Sequence, residues 1–144
     1  MSEENKTVAR RAFEDHFNTG NLDLGEEIFT PDYVNHDPSL PDFGSGPEAA
    51  NQAVRLYRGA FPDARITVED QVAEGDKVAT RWSARGTHQG ELTGVGPTGN
   101  RVEITGITIS RIEGGKIAED WINYDALGML QQVGAIPTPE EAQG

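Results

Sequence analysis

The apolar residues of this 144-residue chain change their period near Ala64, and that change constrains the fold more than any other feature. Before it, Val8, Ala9, Ala12, Phe13, His16 and Phe17 recur at three- and four-residue spacing, the signature of one buried helix face. Ser2 with Glu3 and Glu4 suits the start of that helix, and Gly20-Asn21 its stop. A second, shorter helix is expected from Leu22 to Phe29, ended by Pro31. A third runs from Pro47, a residue suited to a first helical turn, to Phe61, with Ala50, Val54, Tyr57 and Phe61 as its inward stripe.

After Ala64 the pattern alternates, as half-buried strands require. Arg65–Ala73 and Lys77–His88 are predicted strands joined at Glu74-Gly75-Asp76. In the second of them Val78, Thr80, Trp82, Ala84, Gly86 and His88 share one face, and Arg81 and Arg85 share the other. A loop at Gly94–Asn100 leads to a long strand, Arg101–Ile112, then the turn Glu113-Gly114-Gly115 and a last strand, Lys116–Asp125. Ala126–Val133 reads as a short terminal helix. Residues 1–134 are expected to form one domain and 135–144 a frayed tail. Helices segregated onto one face of an antiparallel sheet make an α+β domain; a strongly bent sheet under three N-terminal helices would enclose an apolar cone.

Charge and composition narrow the function. Lys and Arg total 12 against 24 Asp and Glu, a net charge of −12. No phosphate-neutralising surplus exists, so neither nucleic acid nor an anionic membrane is an expected partner. The absence of cysteine removes disulfides, thiolate metal sites and thiol nucleophiles. His16, His36 and His88 lie far apart, and no pair has the spacing of a helical zinc site; no metal or organic cofactor is expected. No Gly-x-Ser-x-Gly elbow, dinucleotide fingerprint or P-loop is present. Ser2–Arg11 lacks the apolar run of a secretory leader, which makes the cytoplasm the expected address.

Two stretches carry candidate chemistry. In the last strand Ile117, Glu119, Trp121, Asn123 and Asp125 share one face, while Ala118, Asp120, Ile122 and Tyr124 share the other. A Trp beside carboxylates suits a partly polar cavity, where desolvation raises a carboxylate's pKa towards the range of acid/base work. A twisted edge strand with solvated acids fits the same pattern. The second stretch is Tyr33-Val34-Asn35-His36-Asp37-Pro38: an imidazole between an amide and a carboxylate can shuttle a proton, or the segment can be a turn in which Asn35 and Asp37 bond their own backbone. Trp82 is expected in the core, His88 at a pocket rim, and His16 as a satisfied core residue.

Phe17-Asn18-Thr19-Gly20-Asn21-Leu22-Asp23, Phe29-Thr30-Pro31-Asp32-Tyr33-Val34-Asn35-His36-Asp37, Ala60-Phe61-Pro62-Asp63, Gly86-Thr87-His88 and Gly114-Gly115-Lys116-Ile117-Ala118-Glu119-Asp120-Trp121 together resemble the SnoaL-like polyketide cyclase, or ester cyclase, family. The resemblance spans roughly Glu4 to Gly134. It implies a nuclear transport factor 2-like, cystatin-like α+β cone, a homodimer through the sheet, and closure of a polyketide ring by intramolecular aldol condensation without a cofactor. A pocket aspartate would serve as acid/base there. Asp120 and Asp125 lie five apart and so on opposite faces; with Trp121 taken to line the cone, Asp125 is the favoured base and Glu119 a third candidate. His36 is the expected partner histidine, with Asn35 beside it at the substrate carbonyl. Trp82, His88, Glu119 and Trp121 would shape the pocket. A non-catalytic binder of an apolar ligand and a ketosteroid-isomerase-like isomerase are the alternatives.

Overall fold

The computed structural model describes residues 2–92, 94–137 and 139; residues 138 and 140–144 of the expected tail lie outside the described residues. The first helical stretch begins as α1 (Ser2–Arg11) and continues as a wider π-helical turn over Ala12–Phe17. Such a turn holds an extra residue and re-aims the side chains it carries. At its end the Asn18 amide takes both backbone groups of Ile66, donating to its carbonyl and accepting from its N–H at 2.8 Å each. That pair pins the helix to the first hairpin. Gly20 closes the stretch at φ +69°.

A 3-10 turn at Leu22–Leu24 runs into the single turn of α2 (Gly25–Ile28). The expected helix to Phe29 thus stops one residue early, and a strand that was not expected follows, β1 (Phe29–His36). Pro31 hid it, since proline cannot donate to a ladder. The structure tolerates Pro31 because β1 lies at the sheet's edge and its pairing is irregular between Phe29 and Val34. The free edge is partly used by the turn ahead of the next helix, where the Gly46 N–H donates to the Tyr33 carbonyl at 2.8 Å. Helix α3 (Pro47–Ala60) then buries Ala49, Ala50 and Val54.

The alternating half forms β2 (Arg65–Glu74), β3 (Lys77–Thr87), β4 (Arg101–Glu113) and β5 (Lys116–Tyr124), followed by α4 (Ala126–Gln132). The sheet order is β1-β5-β4-β3-β2. The four later strands pair antiparallel as expected, but β1 pairs parallel to β5, so the sheet is mixed and open rather than wholly antiparallel. Register shifts at Val68/Asp70 and Arg111/Ile112 are places where an extra residue bends a strand and increases its twist.

Two apolar clusters fill the space between sheet and helices. One gathers Ile28, Phe29, Tyr33, Val78, Ile112 and Ile117. The other gathers Ala60, Phe61, Leu92, Val102, Met129 and Val133. Among the described residues no helix is long and apolar enough to cross a membrane.

Asp125 closes the sheet rather than entering it. Its carboxylate caps α4, accepting the Gly128 N–H at 2.8 Å, and Gly128 leaves room for it, since a Cβ there would overlap the carboxylate. Loss of an Asp cap costs about 1 kcal/mol. Asp125→Ala should therefore lower Tm by about 3 °C in a calorimetric scan; an unchanged Tm would remove the cap's role.

Candidate active site

The inward residues of β1, β3, β4 and β5 face the π-helical turn and α3 across a cavity of about 1040 Å³ including its open mouth. Both apolar clusters contribute to its wall, Phe29 and Tyr33 from one, Phe61, Val102 and Met129 from the other. The cavity therefore lies where the core would otherwise be continuous. Phe13, His16 and Phe17 of the π-helical turn reach into it. Trp82 lies across β4 and donates its indole N–H to Thr108 Oγ1 at 3.0 Å. That position exists because residue 106 is glycine: any Cβ there would run into the indole ring, and would stand 2.8 Å from Tyr124 Cβ.

Into this apolar wall β5 sends one carboxylate, Asp120, whose residue is only 6% exposed. Its two oxygens are held from different strands: Ser110 on β4 donates to Oδ1 at 2.6 Å, and Tyr33 on β1 donates to Oδ2 at 2.7 Å. Burial pushes the Asp120 carboxyl up to about 6, against the pull of those two hydrogen bonds. Burial, reinforced by the Asp120 charge, raises the Tyr33 phenol well above its ordinary value, so it remains a donor. Each carboxylate oxygen retains a lone pair after one hydrogen bond. The group can thus be ionised near neutrality, fixed in place and still able to take a proton.

Asn35 is the register partner of Asp120 across the β1–β5 pair. Its side chain lines the cavity, and its Oδ1 is buried without a hydrogen-bond partner among the described residues. Asp37, two residues on, faces the same cavity and carries the Tyr57 hydroxyl on Oδ2 at 3.0 Å. Its Oδ1 accepts the Ser39 N–H at 2.8 Å, so the turn expected at Asp37-Pro38 forms as well. Opposite, His16 is buried, with its Nε2 donating to Asn51 Oδ1 at 2.7 Å. Burial lowers its pKa, which keeps the ring neutral.

The structure brings only part of the expected set together. Asn35 and Trp82 line the cavity. His36, Glu119 and Trp121 meet on the opposite, outer face of the sheet. There His36 Nε2 lies 2.6 Å from Glu119 Oε2, and its ring stacks on Trp121 with centroids 5.5 Å apart. Arg111 donates to the other Glu119 oxygen at 3.3 Å. The His36 hydrogen bond, helped by Arg111, holds the Glu119 carboxyl below its ordinary value, which suits an ion pair rather than a proton shuttle. Asp125 is exposed at the α4 cap. His88 is fully buried beside Phe61, with Nδ1 tied to Thr98, and forms no part of the cavity wall.

The cause of this redistribution is the phase of β5. With Trp121 outside, the residues from Glu119 onward exchange faces, beyond the register shift that keeps Ile117 in the core, and Asp120 rather than Asp125 turns inward. Sequence reasoning missed Tyr33, Asp37, Tyr57, Ser110 and Tyr124 as site residues. The usable signal was the period-two row of polar residues Tyr33, Asn35 and Asp37, which becomes a wall once β1 is recognised as a strand. Among the described residues no three His, Asp or Glu side chains gather as a metal cage.

Comparison with known proteins agrees with this architecture. The family model for SnoaL-like polyketide cyclases matches residues 7–133. The nogalonic acid methyl ester cyclase of Streptomyces nogalater is 34% identical over 130 residues, covering 87% of this chain and 93% of that protein. The aklanonic acid methyl ester cyclase DnrD of Streptomyces peucetius is 35% identical over 133 residues, covering 86% and 88% respectively. The solved structure of TsrD from Streptomyces laurentii superposes with a TM-score of 0.83 at 27% identity, over 94% of this chain and 98% of that one. A buried aspartate in an apolar cone, a family match over most of the length and full-length cyclase relatives lead to one conclusion: this chain belongs to the SnoaL-like polyketide cyclase family.

Proposed function

We propose that this chain closes a ring in a polyketide-like methyl ester by intramolecular aldol condensation, with Asp120 as the acid/base. The observation that carries the reading is a fully buried carboxylate, braced by Tyr33 and Ser110 on a largely apolar cavity wall. Ionised Asp120 takes a proton from the carbon alpha to a carbonyl, and the electron pair moves onto that carbonyl oxygen as an enolate. The Asn35 side chain lines the cavity level with Asp120 in the register, and its Nδ2 amide supplies the hydrogen bond to that oxygen. A donor already in place in a poorly solvated site stabilises such charge at little reorganisation cost. Trp82, Phe13 and Phe29 offer flat apolar surfaces to a ring system. The relatives act, by their names, on nogalonic and aklanonic acid methyl esters, and these define the substrate class to try first.

Removing a general acid/base typically costs 100-fold or more in rate. Asp120→Asn should therefore cut the rate of ring closure of aklanonic or nogalonic acid methyl ester by at least about 100-fold, followed by chromatography of the cyclised product. Turnover within twofold of the parent chain would exclude Asp120, and no turnover of either ester by the parent chain would exclude this substrate class.

The base must be ionised to act, so the rate should rise with pH through about 6, the value to which burial lifts Asp120, and level off above it. Stability runs the other way. A buried carboxyl with a raised pKa favours folding fully below 3.8, the ordinary aspartate value, and that contribution is lost as pH rises through about 6. The gap corresponds to about 3 kcal/mol. Denaturant titrations from pH 4 to 7 should show this decline in the parent chain and not in Asp120→Asn; parallel curves would argue against a buried, titrating Asp120.

We further propose that the protein acts as a homodimer through the outer face of the sheet. Ile107, Ile109 and Val34 stand exposed there as large apolar residues, next to the His36–Trp121 stack, and isolated monomers rarely leave such a patch uncovered. Light scattering should give twice the chain mass of 15.6 kDa. Ile109→Asp should return it to one chain mass, and a parent chain that already runs as a monomer would overturn the dimer.

A further inference from the structure

The cavity has a second polar pole that the acid/base role of Asp120 leaves unused. Tyr124 and Tyr57, from β5 and α3, meet through their hydroxyls at 2.8 Å, and Tyr57 continues to Asp37 Oδ2 at 3.0 Å. All three side chains line the cavity. Asp37 stands two residues beyond Asn35, the partner of Asp120. With about 3.3 Å per residue along a strand and about 4.8 Å between strands, the two carboxylate-bearing backbones are about 8 Å apart on one wall. An aldol condensation needs two such places. One group removes a proton from carbon, and another gives a proton to the oxygen of the carbonyl that is attacked.

From this geometry we infer that Tyr124 is the proton donor to the acceptor carbonyl, positioned by Tyr57, whose own hydroxyl is held by Asp37, so that deprotonation and protonation are divided between the two poles. The inference rests on the aldol reading given above for Asp120. Asp120 takes the α-proton, and the freed electron pair forms the new carbon–carbon bond to the second carbonyl carbon. The π pair of that carbonyl moves to its oxygen, which takes the Tyr124 proton. The Tyr57 hydroxyl, which donates to Asp37, stays in place through the step and holds the Tyr124 oxygen at the cavity. The turn ends with Asp120 protonated and Tyr124 ionised, and water carries the proton from the first to the second as the product leaves. The substrate is isomerised, with no oxidant or reductant consumed.

Several local features favour this division. Burial raises the Tyr57 and Tyr124 phenols above their ordinary values, so both stay protonated and act as donors. Burial raises Asp37 as well, against the hydrogen bonds from Ser39 and Tyr57, and those two donors hold its carboxylate in place beside Tyr57. Tyr124 shares with Asp120 the inward face of β5, with only Ile122 between them on that face. Tyr124 is thus the catalytic residue of this pole, and Asp37 a positioning residue that acts through Tyr57.

The test separates carbon deprotonation from ring closure. Aklanonic acid methyl ester is incubated in D2O with each variant, and both deuterium uptake at the α-carbon above the enzyme-free rate and cyclised product are followed by mass spectrometry. Tyr124→Phe should keep uptake within about threefold of the parent chain's total α-proton removal while ring closure falls about 100-fold. Asp37→Asn should shift the two readouts in the same direction, an effect that a purely structural role would not produce. Retained uptake also reports a folded site; where Tyr124→Phe fails to fold, Tyr57→Phe carries the same expectation. Ring closure unchanged in Tyr124→Phe, or uptake and closure lost in equal proportion, would overturn the inference. Uptake persisting in Asp120→Asn would instead overturn the assignment of the base and leave the donor pole to stand on its own split.

Discussion

The hydrogen bonds from Tyr33 and Ser110 to Asp120 hold the molecule's design together. A carboxylate taken out of water is costly, and the cost is bearable only where donors are already in place. Those donors come from β1 and β4, the two neighbours of β5, so the carboxylate is seated only when three strands are in register. The edge strand is thereby tied to the centre of the sheet by a side-chain interaction as well as by its ladder. The same brace fixes the reactive oxygens relative to the cavity wall, so stability of the edge and orientation of the base are one constraint.

Around that constraint the sheet divides into two chemically different faces. The inward side offers the braced Asp120 carboxylate, the Asn35 amide with its oxygen unpartnered, and the Tyr124–Tyr57–Asp37 chain within a largely apolar enclosure. The outward side gathers the His36–Glu119–Arg111 pair network and the apolar residues of β4. Both faces are written in the same strands at alternate positions, so Glu119 and Asp120, adjacent in the chain, differ in every respect that matters for catalysis. One is charged and paired at the surface, with its proton affinity lowered; the other is buried with its affinity raised.

That adjacency explains how far the sequence could be read. The helical face from Val8 to Phe17, the Pro47 helix start, and the hairpin turns at Gly75 and Gly114 are set by local chemistry, and the elements formed where the local pattern put them. The strand at Phe29–His36 was hidden because Pro31 argues against a strand in isolation, and only its place at the sheet edge makes it permissible. The π-helical turn leaves the apolar spacing almost unchanged and so gave no local sign. The phase of β5 turned on Trp121, whose size suggested an interior position. The deciding partners of Asp120 lie 87 and 10 residues away, beyond the reach of any short window. Asn35 and Trp82 were legible because each sits on the strand face that its own neighbours define.

Gly106 sets the floor of the enclosure by having no side chain. The Trp82 indole occupies the space a Cβ would need, and its hydrogen bond to Thr108 keeps it flat against β4. At this point the depth of the cavity is set by one hydrogen atom on one strand. A side chain at that position would displace the Trp82 indole and press on Tyr124, while the Asp120 donor on the same strand, Ser110, lies four residues along. A change in substrate size made at this floor would thus reach the Tyr124 pole before it reached the Asp120 brace.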